Sequence, residues 1–181
     1  MEASRLKNLY NNEIIKKMME EFDIKNKLQV PKLTKIVLSK GLDRNQDSDK
    51  AAENLSNIAS QKAVKTKAKK SISQFSVRIG HINGCMVTLR GEQMYFFLEK
   101  LINVALISDR EFIGIKKKSF NKQKSNVSIS MGIKDEKIFP EIVVTSLKKE
   151  GFNITFVTNG NNIDQSAFLL NAFGLPIIGD K

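Results

Sequence analysis

His81 is the only histidine in the chain and Cys85 the only cysteine. Together they are the whole supply of imidazole and thiol. A zinc or iron site needs a cluster of such ligands, and a Cys/His dyad would have to be built from this one short stretch. Cys85 stands among apolar neighbours and is expected to enter the core as a small hydrophobe, with His81 on an exposed tip. Neither GxxxxGKS/T nor GxGxxG occurs, so no nucleotide loop that cradles phosphate is legible. The carboxylates fall mostly on helix faces, and no pair is placed for acid–base work. Neither an enzyme, a cofactor nor a metal is expected.

The chemistry that remains is the neutralisation of phosphate. From Asn54 to Gly91 there is no Asp or Glu, and the window carries Lys62, Lys65, Lys67, Lys69, Lys70, Arg78 and Arg90. A second acid-free window, from Phe112 to Lys134, holds Lys116, Lys117, Lys118, Lys122, Lys124 and Lys134. The windows carry +7 and +6 against +11 for the whole chain, so all other residues sum to −2. Charge gathered in this way is the footprint of a protein that binds nucleic acid and releases counterions. A solvated face is the plainer reading of a lysine run, and the second window alone does not exclude it. The first window leads directly into strands, which would fix its cations in place.

The elements that must position these residues are legible from periodicity. Leu6, Tyr10, Ile14, Met18 and Phe22 recur every four residues and predict an amphipathic helix. A strand through residues 35–38 ends at Gly41, and Asp47 or Ser48 caps a helix through Ala51, Leu55, Ile58 and Ala59. A short strand near Val64 and a basic connector over 67–70 follow. Residues 74–79 and 84–90 read as two strands of a hairpin joined by Gly80, His81, Ile82 and Asn83. A helix begins at Gly91, residues 108–126 read as a long loop without period, and 127–133 and 152–157 read as strands. A turn at 138–140 and a last helix from Asp164, stopped at Gly174, complete the chain. Interleaved helices and tightly joined strands predict an α+β fold, a largely antiparallel sheet with helices packed on one face.

The length suits a single domain over residues 1–181. No apolar run approaches the roughly 18 residues that span a bilayer, so a soluble protein with no membrane partner is expected. The acidic residues near the N-terminus argue against a transit peptide, and one cysteine suits a reducing compartment. The excess of Lys (25) over Arg (5), with 20 Ile and 16 Asn, is the bias of an AT-rich genome, bacterial or organellar.

The run QKAVKTKAKKSISQFSVRIG, followed by GCMVTLRGEQMYFFLEKLINVAL, resembles the bacterial-type large-subunit ribosomal protein five, a 5S rRNA-binding protein. QVPKLTKIVLSKGL at 29–42, IFPEI at 138–142 and AFGLP at 172–176 extend the resemblance over nearly the whole chain. It implies a place in the central protuberance of the large subunit, with an open sheet face and adjoining loops on 5S rRNA. The matching positions are Lys35, Ser39, Gln61, Phe75 and Thr88, flanked by Lys62, Lys65, Lys67, Lys69 and Lys70. It also implies that a hairpin tip, here Arg78, Gly80, His81, Ile82, Asn83 and Gly84, contacts the peptidyl-site tRNA. Large-subunit rRNA, neighbouring ribosomal proteins and a small-subunit head protein are the further partners it implies. The chain departs from the family pattern at Ser39 (usually Asn), Ala63 (usually Pro) and Ile82 (usually Pro). It departs also over 106–112 and in the usually glycine-rich loop at 121–127.

Two hairpin registers stay open. One sets Phe75 opposite Thr88 on the RNA side; simple alternation sets Phe75, Val77 and Ile79 in the core with Cys85, Val87 and Leu89, and a bulge would interconvert them. The expected function is a non-catalytic constituent of the large ribosomal subunit that binds 5S rRNA. The alternatives are a free regulatory RNA- or DNA-binding module and an RNA-modifying enzyme. The lost family residues favour an organellar ribosome, of plastid or mitochondrion, with the bacterial cytoplasm as the alternative.

Overall fold

The computed structural model describes residues 4–43, 46–109, 112–123, 126–142, 149–160 and 162–178. The fold is α+β, with six strands hydrogen-bonded in the order β2-β3-β1-β7-β6-β5. These are β1 (Leu33–Gly41), β2 (Val64–Lys67), β3 (Ile82–Leu89), β5 (Phe120–Gln123), β6 (Asn126–Ile133) and β7 (Phe152–Thr158). Two two-residue strands, β4 (Ile115–Lys116) and β8 (Ile177–Ile178), pair separately and in parallel. The chain gathers into two compact units, one of residues 1–36, 90–131 and 155–181, the other of 37–89 and 132–154.

In the first unit the N-terminal helix appears as expected, as α1 (Arg5–Leu9) and α2 (Ile15–Glu21) joined by a π-helical stretch, Tyr10–Ile14. A strict four-residue repeat drifts by about 40° per step on a 3.6-residue helix. The wider π turn takes up that drift, and Leu6, Tyr10, Ile14 and Met18 are all buried. The helix α4 (Gly91–Lys100) likewise continues through a π stretch into α5 (Leu106–Ser108). The last helix, α6 (Ile163–Ala172), sends Phe168 edge-on to Phe22, while Phe173 just beyond it stacks on Tyr10. Burial, and to a lesser degree Tyr95, pushes the Tyr10 hydroxyl up to about 12, and it donates to the Pro31 carbonyl at 3.1 Å.

In the second unit α3 (Ser48–Ala59) starts at the expected cap, with the Asp47 side chain accepting from the Asp49 amide at 2.9 Å. Ala51, Leu55, Ile58 and Ala59 are buried, as are Cys85, Val87 and Leu89 on alternate positions of β3. The Cys85 thiol lies 3.7 Å from the Ala51 carbonyl, so α3 covers that face of β3. Each fully buried Leu, Ile or Phe contributes about 1.5–3 kcal/mol. Burial raises the Cys85 thiol above its usual range, which keeps it an unreactive core residue.

Three expectations are corrected. Residues 74–79 are not a strand. A 3-10 turn, Ser73–Phe75, leads to Ser76 in the left-handed region, and Ile72 and Val77 form an isolated bridge. The partner of β3 is β2 instead, antiparallel, with Val64 opposite Met86 and Thr66 opposite Gly84. Both registers weighed for Phe75 therefore fall, because the apolar alternation of 75, 77 and 79 has no neighbouring strand to bury it. The bulge exists, but in β3, where Thr66 and Lys67 face Gly84 and Ile82 and leave Asn83 over. Lastly, residues 108–126 are not one long loop, since β5 within them pairs with β6. Lys124, Ser125, Arg110 and Glu111 lie outside the described residues.

Candidate nucleic-acid interface

The second unit carries the basic window, and the pleat sorts its side chains between two faces. Cys85 and Val87 point toward α3, so Met86 and Thr88, both half-buried, point to the opposite face. Opposite pairing brings Val64 and Thr66 of β2 to that same open side. On β1 the buried Leu38 and Lys40 alternate with the half-buried Val37 and Ser39, which by the same pleat share the other face. Lys35 occupies the same phase two residues before Val37 and is half-buried. Gly84 is required where the strands meet, because a Cβ there would stand 2.5 Å from the Lys40 carbonyl oxygen.

Gln61 is exposed just beyond α3, and its side-chain amide donates to the Thr88 carbonyl at 3.3 Å. Gln61 and Thr88 are thus brought together. Thr66 and Met86 on the same face were not singled out from the sequence. The signal is present in VKTK, where Val64 and Thr66 alternate with Lys65 and Lys67, but pairing 84–90 with 74–79 leaves this short strand without a partner.

Lys62, Lys67, Lys69 and Lys70 are exposed, as is Arg78. Lys65 differs. It stands opposite Cys85, on the helix side, and its ammonium binds Asp49 at 2.5 Å. Among the described residues it is the one cation of the window tied to a carboxylate. The others present a continuous positive stretch along the edge strand β2 and the loop after it.

That loop, residues 68–81, is closed at its neck by Ala68 donating to the His81 carbonyl at 2.8 Å and Gly80 donating to that of Ala68 at 2.9 Å. Gly80 has φ +85°, a conformation that side chains rarely adopt. Ile82, Asn83 and Gly84 belong to β3 rather than to a tip, and Asn83 accepts from the Leu42 amide at 2.9 Å. The loop proper is therefore 69–80, with Phe75 in its 3-10 turn and not opposite Thr88 on the sheet.

Behind the open face lies a buried ionic cluster. The Lys40 ammonium donates to Glu136 at 2.7 Å and to Glu150 at 2.5 Å, and Asn54 donates to the other oxygen of Glu136 at 2.7 Å. Burial alone lowers the Lys40 pKa, but the hydrogen bonds and charges of the two glutamates outweigh it and leave it raised. No group of three or more His, Cys, Asp or Glu among the described residues is placed to hold a metal ion. No helix of the described residues is long and apolar enough to cross a membrane.

Comparison with known proteins places the chain among ribosomal proteins. Residues 26–78 match the family model described as "Ribosomal protein L5", and residues 82–177 match the model of the C-terminus of the same ribosomal family. Proteins named "Large ribosomal subunit protein uL5" are similar over nearly their full length. That of Geobacter sulfurreducens is 46% identical over 178 residues, 96% of this chain and 98% of the relative. That of Trichlorobacter lovleyi is 44% identical over the same shares. That of Natranaerobius thermophilus is 40% identical over 97% of this chain and 99% of the relative. These relatives are bacterial, which supports the bacterial alternative over the organellar one that the departures at Ser39, Ala63 and Ile82 favoured. With both halves matched in order, the chain belongs to the ribosomal protein L5 family.

Proposed function

We propose that this protein is a non-catalytic constituent of the large subunit of a bacterial ribosome, and that it binds 5S rRNA through its second unit. The observation that carries the reading is the run of exposed cations, Lys62, Lys67, Lys69 and Lys70, beside an open strand face bearing Ser39, Thr66 and Thr88, with Gln61 hydrogen-bonded to the Thr88 carbonyl. Lysines along an edge strand and its loop meet backbone phosphates, while hydroxyls and an amide on a flat sheet meet sugar and base edges. Lys35, on the part of β1 that belongs to the first unit, is a further candidate for phosphate contact. Lys65 contributes its charge from the helix side, shared with Asp49. Phosphate contacts then supply affinity, and the sheet face selects the RNA.

Family membership supports a second contact, to peptidyl-site tRNA, by the far end of the same segment. Arg78, Gly80 and His81 lie on the projecting loop and suit that role. Ile82, Asn83 and Gly84 act through the strand that supports it. Large-subunit rRNA, neighbouring ribosomal proteins and a small-subunit head protein complete the surroundings.

The test is salt-dependent binding to a 5S rRNA transcript. With about five to seven phosphates neutralised, log K against log salt falls with a slope of roughly −4 to −6. Changing Lys67, Lys69 and Lys70 together to Gln flattens the slope by about two units. An unchanged slope would place the RNA elsewhere on the protein.

A further inference from the structure

We propose that Ser56 is a positioning residue for the RNA face, its hydroxyl fastening the turn at 60–63 that carries Gln61 and Lys62. The inference rests on the RNA-binding reading above and names a group behind the surface on which that surface depends. Gln61 and Lys62 stand on the connection between α3 and β2. Ser60, Gln61 and Lys62 are exposed and Ala63 is half-buried, so no side chain of the connection anchors it in the core. Hydrogen bonds must hold it instead.

Ser56, in the last turn of α3, supplies them. Its carbonyl accepts from the Ser60 amide and, at 3.3 Å, from the Gln61 amide. Its hydroxyl donates to the Ala52 carbonyl at 2.5 Å and accepts from the Ala63 amide at 2.9 Å. The carbonyl bonds are an ordinary way for a helix to end. The bond from Ala63 is not, for it spans seven residues and depends on the Ser56 side chain alone. It ties the residue that opens β2 back to the helix, with Gln61 and Lys62 in between.

The turn needs this hold. Ser60 takes the left-handed region at φ 52°, which disfavours any residue with a side chain and persists where its surroundings determine it. Alanine at 63 has an amide to give; a proline there would have none, and would stiffen the connection by its ring instead. Held by Ser56, the turn lets Gln61 lay one N–H of its side-chain amide on the Thr88 carbonyl at 3.3 Å. The amide keeps its own carbonyl and a second N–H for RNA. Without the Ser56 hydroxyl the turn is free to swing, and that presentation is lost before any packing is.

The test uses the full chain with Ser56→Ala, Ser56→Thr and Gln61→Ala, and with Ser56→Ala combined in turn with Gln61→Ala and with Ala63→Pro. Each variant is checked by thermal melting, and binding to a 5S rRNA transcript is measured below the lowest melting temperature. Alanine is the better helix former, so Ser56→Ala should fold as the parent does. It should bind about fivefold more weakly, the worth of one hydrogen bond. Ser56→Thr keeps the hydroxyl and should bind as the parent does. Once Gln61 is already Ala, Ser56→Ala should add less than about a twofold loss, because both act on one contact. Ala63→Pro should restore what Ser56→Ala loses. Parent-like binding by Ser56→Ala would overturn the proposal, as would Ser56→Thr binding as weakly as Ser56→Ala. So would a loss undiminished beside Gln61→Ala, the mark of a merely structural role, or no restoration by Ala63→Pro. Parent-like binding by Gln61→Ala would leave Ser56 nothing to position and would overturn it too. If the triple lysine variant still loses 5S rRNA in any of these cases, only the positioning fails. If the triple variant binds as the parent does, the reading beneath it fails as well.

Discussion

At the scale of single residues, Lys40 shows how a buried charge depends on its partners. Its side chain is 1% exposed and faces Glu136 at 7% and Glu150 at 24%. Lys40→Met would leave the two carboxylates without their cation, and should cost about 3–5 kcal/mol in urea unfolding. Because the folded pKa of Lys40 is raised, its stabilisation is fully present below the unfolded value and fades only as pH rises through the folded one. The difference between Lys40→Met and the parent should therefore stay level between about pH 6 and 9 and shrink in stronger alkali. A difference that already shrinks at neutral pH would mean Lys40 is not held by this pair. Gln61 is the contrasting case, exposed and with one long hydrogen bond to the Thr88 carbonyl. Gln61→Ala should leave the melting temperature nearly unchanged and weaken 5S rRNA binding by about 1 kcal/mol. Normal binding by that variant, beside weakened binding by Lys67→Gln, would remove Gln61 from the interface.

At the scale of elements, the β2–β3 pair and its loop divide the work. The pair is anchored against α3 by Cys85, Val87 and Leu89, whereas the loop between its strands buries little. Replacing residues 71–78 by a four-glycine linker should leave the melting temperature within a few degrees, because exposed loop tips carry few stabilising contacts. Shortening at 81–83 is a different experiment. Those residues close the loop neck and enter β3, where Asn83 holds the Leu42 amide and makes the bulge. Cutting there should shift the strand register and destabilise the unit by several kcal/mol, as register slips move a buried face to solvent. Equal stability of the two deletions would mean the neck is not structural. The close strand contact at Gly84 belongs to the same scale, since Gly84→Ala presses on the Lys40 backbone and should destabilise without touching the lysines of the surface.

At the scale of the whole molecule, a net charge of +11 acts in two opposite directions. Like charges repel within the folded chain, and salt screens them over a Debye length of about 10 Å at 0.1 M. Salt also restores the counterions that RNA binding releases. Raising salt from about 50 to 300 mM should therefore raise the melting temperature of the free protein while weakening its complex with 5S rRNA. Parallel changes of both would mean that the surface charge is already neutralised within the protein. Acid works against one half-buried pair in the first unit: hydrogen bonds from the Lys7 ammonium and the Ser4 amide hold the Glu92 carboxyl below its usual range. Its stabilisation is present above the unfolded pKa and is lost as pH falls through the folded one, so Lys7→Ala should matter near neutrality and cease to matter in acid strong enough to protonate Glu92.

The sequence by itself determined the fold class, the helices and the location of charge. Those features are local: Leu6, Tyr10, Ile14 and Met18 repeat along one face, Asp47 caps its own helix, and acid-free windows are read by counting. It also carried the family, because QKAVKTKAKK and LRGE lie in contiguous runs. Only the tertiary structure decided which strand pairs with β3. Residues 74–79 alternate as well as any strand, but alternation states which face a side chain would take, not whether a neighbour exists to cover it. β2 supplies that neighbour from fifteen residues or more upstream, and a bulge at Asn83 sets the register. The same pairing sends Lys65 to Asp49 and leaves Phe75 outside the sheet, two placements that depend on contacts between segments and on no single segment's pattern. The Lys40 cluster was illegible for the same reason: its partners stand 96 and 110 residues away, and only packing brings them within a hydrogen bond.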